Sequence, residues 1–154
     1  MKTVTRNANR VDLERVLKLN KRLFEYERKF DRTYNLNWTY SPRGRTYFAG
    51  RLENGIIIVA EVNKSVIGYL CAFIDNYSFR STNPIAEIEN MFIEEKYRGQ
   101  GIGSKLVDNL IRQLESKGVK RIKVGALTKN SRTVDFYRKN KFNDHEVILE
   151  RSLE

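Results

Sequence analysis

Ala86-Glu87-Ile88-Glu89-Asn90-Met91-Phe92-Ile93, followed by Glu94-Glu-Lys-Tyr-Arg98-Gly99-Gln100-Gly101-Ile102-Gly103-Ser104-Lys105, is the most informative stretch of this chain. A strand bearing two carboxylates runs into a glycine-rich loop that opens a helix. Gly99, Gly101 and Gly103 remove three side chains from one short turn, so backbone N–H groups there can converge on a ligand without Cβ obstruction. The first N–H groups of the following helix lack intrahelical partners and sit at the positive end of its macrodipole, which suits a phosphate group. Arg98 stands at the mouth of the loop, where a guanidinium can add a bidentate contact.

Two other phosphate motifs fail on spacing. The Walker pattern needs glycine, lysine and then serine or threonine, whereas Gly103-Ser104-Lys105 puts the serine first and Arg98 occupies the place of the opening glycine. The dinucleotide fingerprint needs an acidic residue about twenty positions on, where Lys120 to Lys123 are basic.

The segment resembles the signature of the GNAT family of N-acetyltransferases, Arg/Gln-x-x-Gly-x-Gly/Ala, filled by Arg98, Gly101 and Gly103. The resemblance covers nearly the whole chain in order. It implies an α/β fold with a mixed, mostly antiparallel, twisted central sheet of six to seven strands and helices on both faces. It also implies that Arg98, Gly99, Gln100, Gly101, Ile102, Gly103 and Ser104 grip the pyrophosphate of acetyl-coenzyme A as co-substrate. Backbone groups of Met91, Phe92 and Ile93 would pair with the pantetheine arm and polarise the thioester carbonyl. Tyr137 would protonate the departing thiolate and, with Asn130, contact the coenzyme. One departure concerns the Gly-Phe pair that usually follows this last helix. Here it reads Lys141-Phe142, so Lys141 or Asn140 must take a left-handed turn conformation.

The chain has 154 residues, 40% of them hydrophobic, enough for one domain over residues 1–154 with a single sizeable core. Cys71 is the only cysteine, so no intrachain disulfide forms, and its apolar neighbours point to a buried core thiol. With one histidine and no Cys/His cluster, no metal site is expected. Apolar runs are short and the first residues lack an apolar core, so neither a membrane span nor a secretory signal is expected, and a cytoplasmic location fits. The net charge is +10, of which +7 falls in residues 1–50. This excess is scattered over helical segments rather than gathered in a tail, which suits a basic surface that attracts coenzyme A and disfavours nucleic acid as a partner. A homodimer stays open.

Periodicity gives the rest. Lys2 to Arg6 reads as a strand, and Asn7 or Asn9 caps a helix from about Val11 with Leu13, Val16, Leu17, Leu23 and Phe24 on its apolar stripe. Ser41-Pro42 opens a second helix that runs to about Leu52. Ile56 to Val62 and Val66 to Ile74 form a hairpin about Asn63-Lys64-Ser65, and Ile85 to Ile93 is the signature strand. Ile102, Leu106, Val107, Leu110, Ile111 and Leu114 mark the buried face of the next helix, which Gly118 ends. Arg121 to Leu127 is a strand, Asn130 or Ser131 caps a helix through Asn140, and Phe142 to Leu153 supplies one or two closing strands.

Transfer of an acetyl group to an amine needs a base, because an ammonium with a pKa of about 10.4 has no lone pair to attack a thioester. Glu87 and Glu89 are two apart on a strand, so regular geometry points both to one face, where one can accept the proton. By resemblance, either position carries the base in different members, and Glu89 ranks slightly ahead. Tyr26, Phe30, Tyr34, Trp38, Tyr40, Tyr47 and Phe48, with Glu25, Glu27 and Asp31 among them, enrich the segment that walls the acceptor side in this family. Acetyl transfer to a primary amine by direct attack is the leading expectation. An inactive coenzyme A- or nucleic-acid-binding module, or transfer of a larger acyl group, is the alternative.

Overall fold

The two β-branched runs on either side of Asn63-Lys64 pair as an antiparallel hairpin, β2 (Ile56–Val62) with β3 (Ser65–Asp75). Asn63 and Lys64 both adopt positive φ, 51° and 64°, the conformation a two-residue turn needs to match strand twist. The computed structural model describes residues 2–154. Outside this hairpin, β1 (Thr3–Asn7) pairs antiparallel with β2, and β4 (Ile85–Ile93) pairs antiparallel with β3. The short β5 (Arg121–Val124) lies parallel to β4, giving the order β1-β2-β3-β4-β5.

Central strands are apolar on both sides because both sides are covered. Ile57, Val59, Tyr69 and Cys71 meet α1 (Leu13–Glu27) and α2 (Pro42–Asn54), which contribute Val16, Leu17, Leu19, Leu23 and Phe48. Ile56, Ile58, Leu70, Ala86 and Ile88 meet α3 (Ile102–Ser116) through Leu106, Val107, Leu110 and Leu114, and α4 (Ser131–Lys139) through Tyr137. Asn9 caps the single turn that leads into α1, accepting from the Val11 N–H at 2.9 Å. Ser41 caps α2 in the same way, accepting from the Gly44 N–H at 3.2 Å. Cys71 is buried, and burial pushes its thiol up to about 12.

The long connection between α1 and α2 is fixed by a buried polar chain. Thr39 Oγ1 donates to Asn20 Oδ1 at 2.7 Å, and Asn20 Nδ2 donates to the Tyr69 hydroxyl at 3.0 Å. The chain ties the loop to α1 and to β3, holding the wall of the groove described below in place. A second clasp joins β1, the α1 entrance and β2. Arg6 bonds both Asp12 oxygens at 2.8 and 3.0 Å and reaches Glu61 at 2.6 Å.

The sheet has five strands, not the six to seven expected. No strand forms between Phe142 and Leu153 among the described residues. The physical reason lies in the pattern there. Val147, Ile148 and Leu149 are consecutive and 80%, 83% and 89% exposed, so the run offers no alternating apolar face for a sheet to bury. Its anchors are polar and precede it, Arg138 on Asp144 and Arg121 on His145. β5 is also shorter than the sequence suggests, ending at Val124 rather than Leu127. Lys141 takes the left-handed turn after α4, with φ of 69°. No helix among the described residues is long and apolar enough to cross a membrane.

Candidate active site

β4 continues past the point where β5 stops pairing with it. The parallel ladder ends at Ile88 opposite Val124, whereas β4 runs on to Ile93. The backbone from Glu89 to Ile93 therefore presents one edge to an open groove between β4 and β5. On the other side the register with β3 steps from Ala72 opposite Ile88 to Cys71 opposite Asn90, leaving Glu89 as an extra, bulged residue. The bulge shifts the side-chain alternation by one. Ala86 and Ile88 lie on the α3 side before it, and Met91 and Ile93 pack on that side after it, while Phe92 turns to α1.

The loop after β4 contributes the groove's second feature. A single turn, Glu95–Tyr97, precedes Arg98, and Gly99 and Gly101 then take φ of 74° and 76°, where side chains are disfavoured. A Cβ on either glycine would meet nothing within 4 Å, so the loop faces open space. Among the described residues, the N–H groups of Gly99 to Ser104 donate to no other backbone group, and Gly101 caps α3 without a side chain. These amides are bare donors at a helix N-terminus.

Gly103 has a different reason to be glycine. A Cβ there would lie 2.9 Å from two ring atoms of Phe136, so the residue permits the close crossing of α3 and α4. Arg98 is likewise more committed than its sequence position suggests. Its Nε donates to the Ile93 carbonyl at 2.8 Å, and its guanidinium lies 5.1 Å from the Tyr26 ring and 5.0 Å from the Phe92 ring. It locks the end of β4 against α1.

Asn130 caps α4, accepting from the Thr133 N–H at 3.3 Å, and is almost fully buried. Tyr137, about two turns further along the same helix, packs edge-on to Phe136 and Phe142 with ring centroids 5.0 and 5.4 Å away. Burial first, and the charge of Glu27 second, hold its phenol well above the usual tyrosine range. It stays protonated at any ordinary pH. Tyr137 lines the groove with Met91, Phe92, Ile93 and the glycine loop, whereas Asn130 is spent on the cap behind it.

The two strand carboxylates also line the groove, in different states. Glu89 is held by Arg51 of α2, whose Nε reaches Oε1 and whose Nη2 reaches Oε2 at 3.2 Å. Glu87 makes no ion pair or side-chain hydrogen bond among the described residues, although it sits opposite Lys123 in the parallel ladder. Of the two carboxylates, Glu89 alone is engaged by a protein cation among the described residues.

The aromatic segment divides into wall and core. Tyr34, Phe24, Trp38 and Tyr47 form a continuous series with centroid separations of 4.9, 5.6 and 5.4 Å, all lining the groove. Phe48 is core, Tyr40 is exposed beneath Arg45, and Tyr26 and Phe30 pack on one another. The Tyr47 hydroxyl accepts from Asn90 Nδ2 at 3.0 Å. Sequence reasoning missed Arg51 and Asn90. Arg51 reads as one more surface cation of an amphipathic helix, and nothing local announces a partner 38 positions away.

Comparison with known proteins agrees with this architecture. The profile described as "Acetyltransferase (GNAT) family" matches residues 13–142. An uncharacterized N-acetyltransferase of Methanocaldococcus jannaschii is 29% identical over 152 residues, covering 96% of this chain, which spans 64% of that protein's length. A thialysine N-epsilon-acetyltransferase of Bos taurus is 26% identical over 141 residues, covering 86% of this chain and 79% of the relative. The structure of a predicted acetyltransferase from Clostridium acetobutylicum, determined with acetyl-CoA, superposes with a TM-score of 0.78 at 24% identity, covering 99% of this chain and 97% of that one. A profile match across most of the chain, on a fold with an open β4 edge beside bare loop amides, places this protein in the GNAT family of acetyltransferases.

Proposed function

We propose that this chain transfers the acetyl group of acetyl-coenzyme A to a primary amine by direct attack within a ternary complex. The observation that carries the reading is the adjacency of two sets of unpaired backbone groups, the free edge of β4 from Glu89 to Ile93 and the amides of Gly99 to Ser104. The amides of the loop hold the pyrophosphate, and the β4 edge aligns the arm that ends in the thioester. A β4 N–H faces the carbonyl oxygen as negative charge develops on it, a placement that supplies large rate effects without a charged side chain.

The remaining steps belong to side chains. Glu87, free of ion pairs, takes the proton of the incoming ammonium, directly or through one water, so that the nitrogen lone pair can attack the carbonyl carbon. The new N–C bond forms and the C–S bond breaks, and Tyr137, kept protonated by burial, gives its proton to the departing sulfur. Cys71 takes no part as an acyl carrier, because its buried thiol is held protonated. Similarity to the thialysine N-epsilon-acetyltransferase of Bos taurus supports an amine as acceptor here.

Release of free thiol from acetyl-coenzyme A across a panel of primary amines tests the proposal. Turnover with at least one amine, absent without it, is expected. Binding of coenzyme A with no thiol release from any amine would leave a binding module instead, and no heat on titration with coenzyme A would overturn the loop assignment as well.

A further inference from the structure

Two buried acceptor atoms in the groove have no donor. Glu27 Oε2, at the last residue of α1, and Asn90 Oδ1, on β4 beyond the bulge, are both shielded and unpaired. Both residues line the groove. Buried polar atoms in folded proteins nearly always have partners, so two orphans in one groove point to a missing ligand. Since both atoms only accept, that ligand must bring N–H or O–H donors.

Their placement fixes more than the sign. Glu27 lies at the Tyr34 end of the aromatic wall, where burial first and the charge of Glu27 second raise the Tyr34 phenol, and it lies near Asn130. Asn90 lies at the Tyr47 end, bonded through its Nδ2 to the Tyr47 hydroxyl. Between them run Phe24 and Trp38 in unbroken ring contact. The wall is thus apolar and aromatic along its length and acceptor-bearing at each end. An aliphatic chain with a nitrogen at either end matches it, with ring faces favouring the cationic heads. Burial also lifts the Glu27 carboxyl above its usual range, a shift that a cationic head placed beside it would oppose.

Resting on the acetyltransferase reading, we infer that the acceptor is an elongated aliphatic amine with a second nitrogen donor, and that Glu27 is the residue that selects for it. The protein's overall charge of +10 does not oppose this, because recognition is set inside the groove by one unpaired carboxylate oxygen and an aromatic wall.

The experiment compares α,ω-diamines with monoamines of equal chain length as acceptors, for the natural chain and for Glu27→Gln, with Glu27→Asp as a second variant should the first fail to fold. The natural chain is expected to show at least a tenfold higher kcat/KM for a diamine of matching length. Glu27→Gln should raise the KM for that diamine by about tenfold, with less change in kcat and less change in the monoamine KM. Thiol release that is equal for diamines and monoamines would overturn the inference while leaving the acetyltransferase reading intact. A Glu27→Gln defect that appears in the KM for acetyl-coenzyme A, equally with every amine, would instead make Glu27 a positioning residue for Asn130 and also overturn it. Absence of thiol release with any amine would sink the underlying reading.

Discussion

Arg51 on α2 clasps both oxygens of Glu89 at the β4 bulge, while its guanidinium lies 5.1 Å from the Tyr47 ring and 4.6 Å from the Phe73 ring. One side chain thus joins the helix, the aromatic wall and the bulge that shifts the strand's facing. A fork of this kind spends the hydrogen-bonding capacity of the carboxylate on structure.

From that engagement follows a split between the two strand carboxylates. Glu87→Gln is expected to lower kcat by about 10²-fold or more, the usual size of a general-base contribution. Glu89→Gln should cost stability, about 1–3 kcal/mol for leaving Arg51 without its partner, with a smaller loss of rate. Urea unfolding and initial rates on both variants check this. A larger kinetic loss at Glu89 would restore it as the base.

The glycine loop separates binding from packing. Gly101→Val places a β-branched residue at φ of 76° and projects its side chain into the open space that a diphosphate would fill, so affinity for coenzyme A should fall by more than tenfold in calorimetry. Gly103→Ala should behave differently. Its methyl group would press on the Phe136 ring at 2.9 Å, so that ring must shift, costing about 1 kcal/mol of stability while leaving coenzyme affinity largely intact.

Most of the fold could be read from residue pattern, and the reason is that its elements are locally determined. The cap at Asn9, the Ser41-Pro42 start of α2, the Asn63-Lys64 turn and the apolar stripe of α3 each depend on neighbours a few positions away. The closing strands failed because Val147 to Leu149 have the composition of a strand without its alternation, and composition alone cannot say whether a neighbour will pair with them. At the site, the loop glycines were legible as an open turn before a helix, but the partners of Glu89 and Asn90 come from other elements. A bulge at Glu89 leaves no mark in the sequence, since it reflects how β3 and β4 fit together over both faces of the sheet.

Tyr137 sets the expected behaviour at high pH. A general acid works only while protonated, and burial raises this phenol above its ordinary value of 10.0, so its working range extends upward. The rate should show no alkaline fall attributable to Tyr137 up to about pH 10. Tyr137→Phe should lower kcat by about tenfold or more at every pH below that, with little change in coenzyme affinity. Full activity of the phenylalanine variant would remove the residue from the mechanism.

The Arg6 clasp makes a stability prediction whose sign can be derived. Hydrogen bonding from Arg6 holds the Asp12 carboxyl below its usual range in the folded protein, so the carboxylate stabilises the fold above its unfolded pKa. That contribution is lost as pH falls through the lowered folded value. Asp12→Asn should therefore be less stable than the natural chain by about 1–3 kcal/mol near pH 7, since it breaks a partly buried ion pair and leaves one oxygen where two served Arg6 and the Asn9 N–H. The gap should narrow below about pH 4, where the natural chain loses the same charge. Denaturant unfolding at several pH values measures it. A gap that is constant with pH would mean that Asp12 acts through the cap alone, with no contribution from its charge on Arg6.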